Sequence, residues 1–147
     1  MYRVIILVAA LWAFDALAGC VVNSTTTLAF GIYDPFSTMP NDTAVGGVNI
    51  TCSGVYGLVG ISLGPGQSGD QLARKLKAGS NLMSYQIYFD LLRTKVMGDG
   101  TSGTWNYTGL VLVTGVATPF SFYGRIPARQ AVAAGSYTDS VQITVSF

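Results

Sequence analysis

The pattern of apolar and polar positions is most regular at the carboxyl-terminal end of the chain. Every second residue in the main part of this segment is large and apolar, and polar residues stand between them. The apolar members are Tyr137, Val141, Ile143, Val145 and Phe147. A period of two residues places alternate side chains on opposite faces of a β-strand. The pattern therefore predicts a terminal strand with one buried face.

Shorter segments elsewhere also have the character of strands. They are rich in β-branched and aromatic residues and are bounded by turn residues, and they span residues 27–33, 45–53, 56–63, 82–90, 110–113 and 119–126. Only residues 70–78, in which Leu72 and Leu76 are four positions apart, could form a helical turn or two. Strands at this spacing without intervening helices favour an all-β, antiparallel β-sandwich.

The first eighteen residues have the pattern of an export signal. A short positive start containing Arg3 precedes an apolar run over residues 4–14, and Ala16-Leu17-Ala18 matches a small-residue cleavage site. The apolar run is too short to span about 30 Å of hydrocarbon. The alternative interpretation of this run is a buried core helix, but the run has the character of the hydrophobic region of a signal peptide. We therefore expect residues 1–18 to be a signal peptide and residues 19–147 to form a single domain.

The chain contains two cysteines, Cys20 and Cys52. An even number of cysteines in an exported protein favours a disulfide, because the compartment is oxidising. Leu17-Ala18-Gly19-Cys20 also matches a bacterial lipoprotein box, in which Cys20 would be lipidated. Cys52 could instead be a small buried side chain of a strand. Pairing is the simplest of these interpretations.

Composition and charge exclude several classes of function. Only 10% of the residues are charged and the net charge is +1, which disfavours nucleic-acid binding through a basic surface. Histidine and glutamate are absent, so the chain lacks the usual general base and the commonest metal ligand. We expect no catalytic residues, no metal site, no cofactor and therefore no enzymatic activity.

The remaining polar motifs have ordinary structural interpretations. The cluster Arg74, Lys75 and Lys77 is interpreted as a solvated face. Asp90 and Asp99 could be a carboxylate pair only if the fold brought them together, and nothing in the sequence does so. The segment that begins at Gly98-Asp99-Gly100 has too few acids for a calcium loop and predicts a tight turn.

Several runs, taken together, resemble the spore coat protein U domain family, which includes the subunits of Csu-type archaic chaperone–usher pili. The runs are Cys20-Val21-Val22, LAFGIYDP at 28–35, Ile50-Thr51-Cys52, LMSYQIY at 82–88, GDGT at 98–101, YGRIP at 123–127 and AGSYTDSV at 134–141. The resemblance covers residues 20–147.

The resemblance implies an immunoglobulin-like β-sandwich that lacks its final strand. In that family a periplasmic pilus chaperone fills the gap first, and a neighbouring pilus subunit fills it after assembly at an outer-membrane usher. The family's two cysteines correspond to Cys20 and Cys52, which supports their pairing. The strand-acceptor groove would involve Tyr137, Val141, Ile143, Val145 and Phe147, because an apolar terminal strand with a free edge is a template for strand addition. A complete sandwich, in which this strand has partners on both sides, is the alternative.

Two features depart from the family pattern. Cleavage after Ala18 would leave only Gly19 before Cys20, whereas pilus subunits carry an alternating donor segment there. We therefore expect a chain that accepts a strand without donating one, unless its start has been misassigned. Arg129 stands where the family often has glycine.

The sequence thus predicts a non-catalytic structural subunit of a bacterial surface pilus or coat, exported through the periplasm to the cell surface and supporting attachment and biofilm formation. The alternatives are a tip-type adhesin domain that binds a carbohydrate or a surface through aromatics such as Trp105 and Tyr107, and a secreted or lipidated relative that does not polymerise.

Overall fold

The computed structural model describes residues 19–53, 58–110 and 115–147, and these residues form nine strands joined by turns and one short 3-10 helix over Gly66–Ser68. The strands are β1 Gly19–Thr26, β2 Val45–Ser53, β3 Leu58–Leu63, β4 Lys75–Ala78, β5 Asn81–Ser84, β6 Gln86–Tyr88, β7 Tyr107–Leu110, β8 Thr118–Arg125 and β9 Ile143–Ser146. The predicted signal peptide lies outside the described residues. In the part of the chain that is described, no helix has the length and apolar character that crossing a bilayer requires.

Two antiparallel sheets form the layers of the fold. One has the order β1-β2-β8-β6 and the other has the order β7-β3-β9, while β4 and β5 form a separate hairpin. Alternate residues of β2 and β3 point into the space between the sheets, which is why Val48 and Ile50 belong to the same core as Ile61 and Leu63. The prediction of an all-β antiparallel architecture is confirmed.

Several predicted elements differ in detail from the structure. The segment 70–78 is not helical: it forms a turn followed by β4, whose partner is β5. Residues 27–33 have no assigned strand, since β1 ends at Thr26. The segment 82–90 is divided at Tyr85, so that its two halves join different sheets.

The interpretation of Arg74 as part of a solvated face is wrong. Its side chain is fully buried and donates hydrogen bonds to the carbonyl oxygens of Gly64 and Gln71 and to Oε1 of Gln86. Burial lowers the pKa of the guanidinium. These bonds hold the end of β3, the turn before β4 and the start of β6 together, so Arg74 organises the backbone where three elements meet.

Candidate functional site

An open groove with a volume of about 1190 Å³ runs along one side of the sandwich. Residues 25–33, which continue β1, form most of one wall, and residues 132–141 with Ile143 form the other. Near one end the ring of Phe147 lies 3.6 Å from where a Cβ on Gly19 would stand. At the other end the Tyr33 hydroxyl meets the backbone of Gln130. The two walls therefore run in opposite directions along the chain.

The floor of the groove is part of the hydrophobic core. It consists of side chains from β3, β4, β5, β6 and β8 and the residues beside them, namely Leu63, Leu76, Met83, Tyr85, Ile87, Phe122 and Ile126. These side chains are at most 8% exposed, whereas the apolar wall residues Phe30, Val132 and Val141 are only half-buried. An apolar occupant of the groove would mainly complete the burial of the walls.

The first wall depends on a close approach to β8. Phe30 packs edge-on against Tyr85, with ring centroids 6.0 Å apart. A Cβ on Gly124 would lie 2.6 Å from the Phe30 ring, so the absence of a side chain at position 124 lets the ring reach the sheet. The Phe30 carbonyl accepts hydrogen bonds from the Asn41 amide and the Thr43 hydroxyl, which fixes the backbone of this wall.

The second wall is anchored to the β4–β5 hairpin and the 3-10 helix. Thr138 and Lys77 exchange two backbone hydrogen bonds, of 2.8 and 3.0 Å. Asp139 accepts the hydroxyl of Tyr85 at 2.6 Å and the backbone N–H groups of Gln67 and Ser140, both at 2.8 Å. Burial, and after it the bond to Asp139, raises the pKa of Tyr85 strongly, so the phenol remains a neutral donor.

The strand that follows this wall presents a free edge. Among the strands of the described residues, β9 pairs with β3 alone, in the register Leu63↔Ile143 to Gly60↔Ser146. The Gly64 N–H extends this pairing by donating to the Gln142 carbonyl at 2.9 Å. The opposite edge of β9 therefore has backbone donors and acceptors without a strand partner in the described part of the chain.

Comparison with known proteins decides the family. The profile of the Spore Coat Protein U domain matches residues 7–144. The chain belongs to this family. One relative is Protein U of Myxococcus xanthus, which is 34% identical to this chain over 134 residues. The alignment covers 82% of this chain and 72% of Protein U.

A solved structure supports the fold of this spore coat U domain. The crystal structure of the CsuC–CsuE chaperone–tip adhesion subunit pre-assembly complex, from archaic chaperone–usher Csu pili of Acinetobacter baumannii, contains a similar chain, with a TM-score of 0.54 and 20% identity. The match covers 89% of this chain and 40% of that one, so this chain spans less than half the length of its structural neighbour. The immunoglobulin-like sandwich expected from the resemblance is confirmed.

The structure places the residues predicted for the groove in three different settings. Tyr137, Val141 and Ile143 line it. Val145 is opposite Ile61 in the β3–β9 pair and packs against the core. Phe147 is 68% exposed and lies beside Gly19. Sequence reasoning missed the wall formed by residues 25–33, although the apolar run in LAFGIY was its visible signal.

The two cysteines of this spore coat U domain are paired. Cys20 of β1 and Cys52 of β2 are direct cross-strand partners, with Cα atoms 4.0 Å apart, and their sulfurs form a disulfide. The prediction of pairing is confirmed, and the sulfur that a lipoprotein box would modify is bonded to Cys52. The bond ties the edge strand β1, and hence the start of the first wall, to the centre of the sheet.

The acidic residues have local structural roles. Asp90 accepts hydrogen bonds from Thr94 and Lys95, and Asp99 accepts from Thr101. Across residues 19–53, 58–110 and 115–147, no three His, Cys, Asp or Glu side chains are grouped in a way that could hold a metal ion. The absence of enzymatic activity stays a prediction.

Proposed function

We propose that this chain is a non-catalytic structural subunit of a bacterial surface pilus or coat, assembled by strand complementation along a chaperone–usher route. In this proposal residues 1–18 are removed on export, residues 19–147 form one domain, and the protein passes through the periplasm to the cell surface. Membership of the spore coat U family supports the proposal, and the structural neighbour contains a subunit bound to its chaperone before assembly.

The groove is the observation that carries this proposal. An extended strand laid between the walls would hydrogen-bond to the free edge of β9 and direct alternate side chains onto the apolar floor. Because the walls are antiparallel, an inserted strand runs antiparallel to one of them and parallel to the other. Either direction gives backbone pairing, so the groove suits both a chaperone strand and, later, the strand of a neighbouring subunit.

Filling the groove is expected to stabilise the domain. The walls contain several half-buried apolar side chains, among them Phe30, Val132, Tyr137, Val141 and Ile143. Full burial of a large apolar side chain contributes about 1.5–3 kcal/mol, so each wall residue would gain roughly half of that. The sum is a large fraction of the ~5–15 kcal/mol that stabilises a typical domain. A partner strand therefore matters to the folded state.

The test compares adjacent positions on opposite faces of one wall. Val141 lines the groove and Gln142 is exposed. In the second matched pair, Ile143 lines the groove and Thr144 is exposed. We expect Val141→Asp and Ile143→Asp to abolish the gain in periplasmic yield and Tm that a co-expressed archaic pilus chaperone gives, because each would bury a charge without a partner. Gln142→Asp and Thr144→Asp should keep most of it. A wild-type monomer that melts at the same Tm with and without the chaperone would show that the sandwich is complete.

A tip-type adhesin is the second candidate, because two neighbouring loops expose large apolar side chains. Phe36 and Met39 lie in one loop, and Leu91 and Leu92 lie in the other. The Arg93 guanidinium joins these loops by a hydrogen bond to the Asp42 carbonyl, and a second bond, to the Gly124 carbonyl, connects it to β8. Trp105 is half-exposed, with the Lys95 ammonium 4.4 Å from its ring centroid. Binding of the chaperone-released domain to glycans or polystyrene, lost on Leu91→Ser with Leu92→Ser, would favour this candidate.

A further inference from the structure

One end of the groove is closed by hydrogen bonds that join its two walls. The Tyr33 hydroxyl, from the first wall, donates to the Pro127 carbonyl at 2.8 Å. The same oxygen accepts the backbone N–H of Gln130 at 2.9 Å. Because a phenol can donate one hydrogen bond and accept others, both contacts are satisfied at once. The first wall is therefore fastened to the chain that leads into the second wall.

The side chain of Gln130 completes this closure by forming hydrogen bonds to the outer edge of β5. Its Oε1 accepts the backbone N–H of Ser84 at 2.7 Å, and its Nε2 donates to the Ser84 carbonyl at 2.8 Å. Ser84 pairs with Lys75 on its other side, within the β4–β5 hairpin. The Gln130 amide thus occupies the place that a peptide group of an added strand would take on β5. We call Tyr33, Ser84, Pro127 and Gln130 the clasp.

The opposite end of the groove has a different character. There Gly19 and the exposed ring of Phe147 lie together, and the free edge of β9 leads toward them. A bound strand can form backbone hydrogen bonds along the free edge of β9. At the clasp it finds no such partners, because the groups there are already hydrogen-bonded to one another. The walls are therefore joined by hydrogen bonds at the clasp, whereas at the opposite end the contact between Phe147 and Gly19 is apolar.

We propose that the clasp is the stop that fixes how far a bound strand extends and so sets its register in the groove. This inference rests on the proposed function, since it assumes that the groove accepts a strand. Tyr33 and Gln130 are then positioning residues for the partner. The partner must offer an alternating apolar strand that ends, or turns away, where it reaches the clasp.

The experiment appends strands of increasing length to the full chain. After Phe147 an Asn-Gly turn is followed by alternating Val and Thr residues, from about 4 to about 20 in two-residue steps, and the added strand folds back along the free edge of β9 toward the clasp. In the wild-type background we expect Tm to rise with each step and then to become constant once the strand reaches the clasp. In Tyr33→Phe and Gln130→Ala backgrounds the rise should continue for at least one further step.

The matched control is Gln142→Ala, which removes an exposed glutamine amide that is not part of the clasp. It should leave the limiting length unchanged. Tyr33→Phe removes a single oxygen atom, so it tests the clasp even if Gln130→Ala folds poorly. The same limiting length in wild type and both clasp variants would overturn the stop alone. Failure of every appended strand to raise Tm in the wild type would overturn the proposed function, and the stop with it.

Discussion

At the scale of single residues, three non-glycine residues in the described part of the chain have positive φ, namely Arg93, Ser102 and Arg129, and the one where the family often has glycine is Arg129. Its φ is +57°, in the left-handed region that side chains with a Cβ disfavour by about 1–2 kcal/mol. Its side chain is exposed. We expect Arg129→Gly to raise Tm by about 1–3 °C, less than the full strain because glycine also adds entropy to the unfolded chain.

Arg129→Ala is the control for that change, because it removes the same charge and retains the Cβ. It should give no increase in Tm. An equal gain from both substitutions, measured by differential scanning calorimetry, would attribute the effect to charge. The departure at position 129 was visible in the sequence as an arginine where the family often has glycine, and the structure supplies its physical meaning.

At the scale of elements, the sequence predicted best where a strand lies between two partners. β2 has the predicted bounds, 45–53, because it pairs with β1 and β8 and buries alternate residues. The alternating segment that ends at Phe147 yielded only the short strand β9, since residues 137–141 form a groove wall rather than a continuous ladder. Period two reports which face is apolar, but it carries no information on which backbone edge has a partner.

The edge strand β1 depends on its disulfide. Its closed loop spans a sequence separation of 32, for which chain entropy gives about 3–4 kcal/mol. We expect the double variant Cys20→Ser, Cys52→Ser to lower Tm by roughly 8–15 °C. Hydrogen exchange should accelerate first in β1 and in residues 25–33, while β3 and β9 keep their protection. Uniform acceleration across both sheets would contradict this local role.

At the scale of the whole molecule, the sequence predicted only Tyr137, Val141 and Ile143 of the candidate site, because its other parts are distant along the chain. The floor combines Leu63, Met83 and Phe122, and the clasp joins Tyr33 to Gln130 across 97 positions. Each of these residues also fits an ordinary core or loop position. Only the arrangement of the sheets shows that the walls remain apart and that one end is closed.

Because histidine and glutamate are absent, aspartates determine how the stability of the whole protein responds to acid. All seven acidic residues are aspartates. Arg125 donates hydrogen bonds to both carboxylate oxygens of Asp42, each at 2.7 Å, and these bonds lower the pKa of Asp42. Hydrogen bonds from Thr101 lower the pKa of Asp99 to about 2. For Asp90, desolvation raises the pKa, but the hydrogen bonds from Thr94 and Lys95 together outweigh it, so the pKa is also lowered.

A carboxylate whose pKa is lower in the folded state stabilises the fold above its unfolded pKa of about 3.9 and loses this contribution as the pH falls through the folded value. No residue type in this chain has a side chain whose ordinary pKa lies between about pH 5 and about pH 7. We therefore expect Tm to be nearly constant over that range and to fall below about pH 4. Asp42→Asn should lower Tm by about 1–4 °C at pH 7 and by less at pH 3, because the ion pair with Arg125 is then already weakened. Thermal denaturation followed by circular dichroism at each pH measures both effects. A fall of several degrees between pH 7 and pH 5 would mean that a group outside these aspartates controls stability.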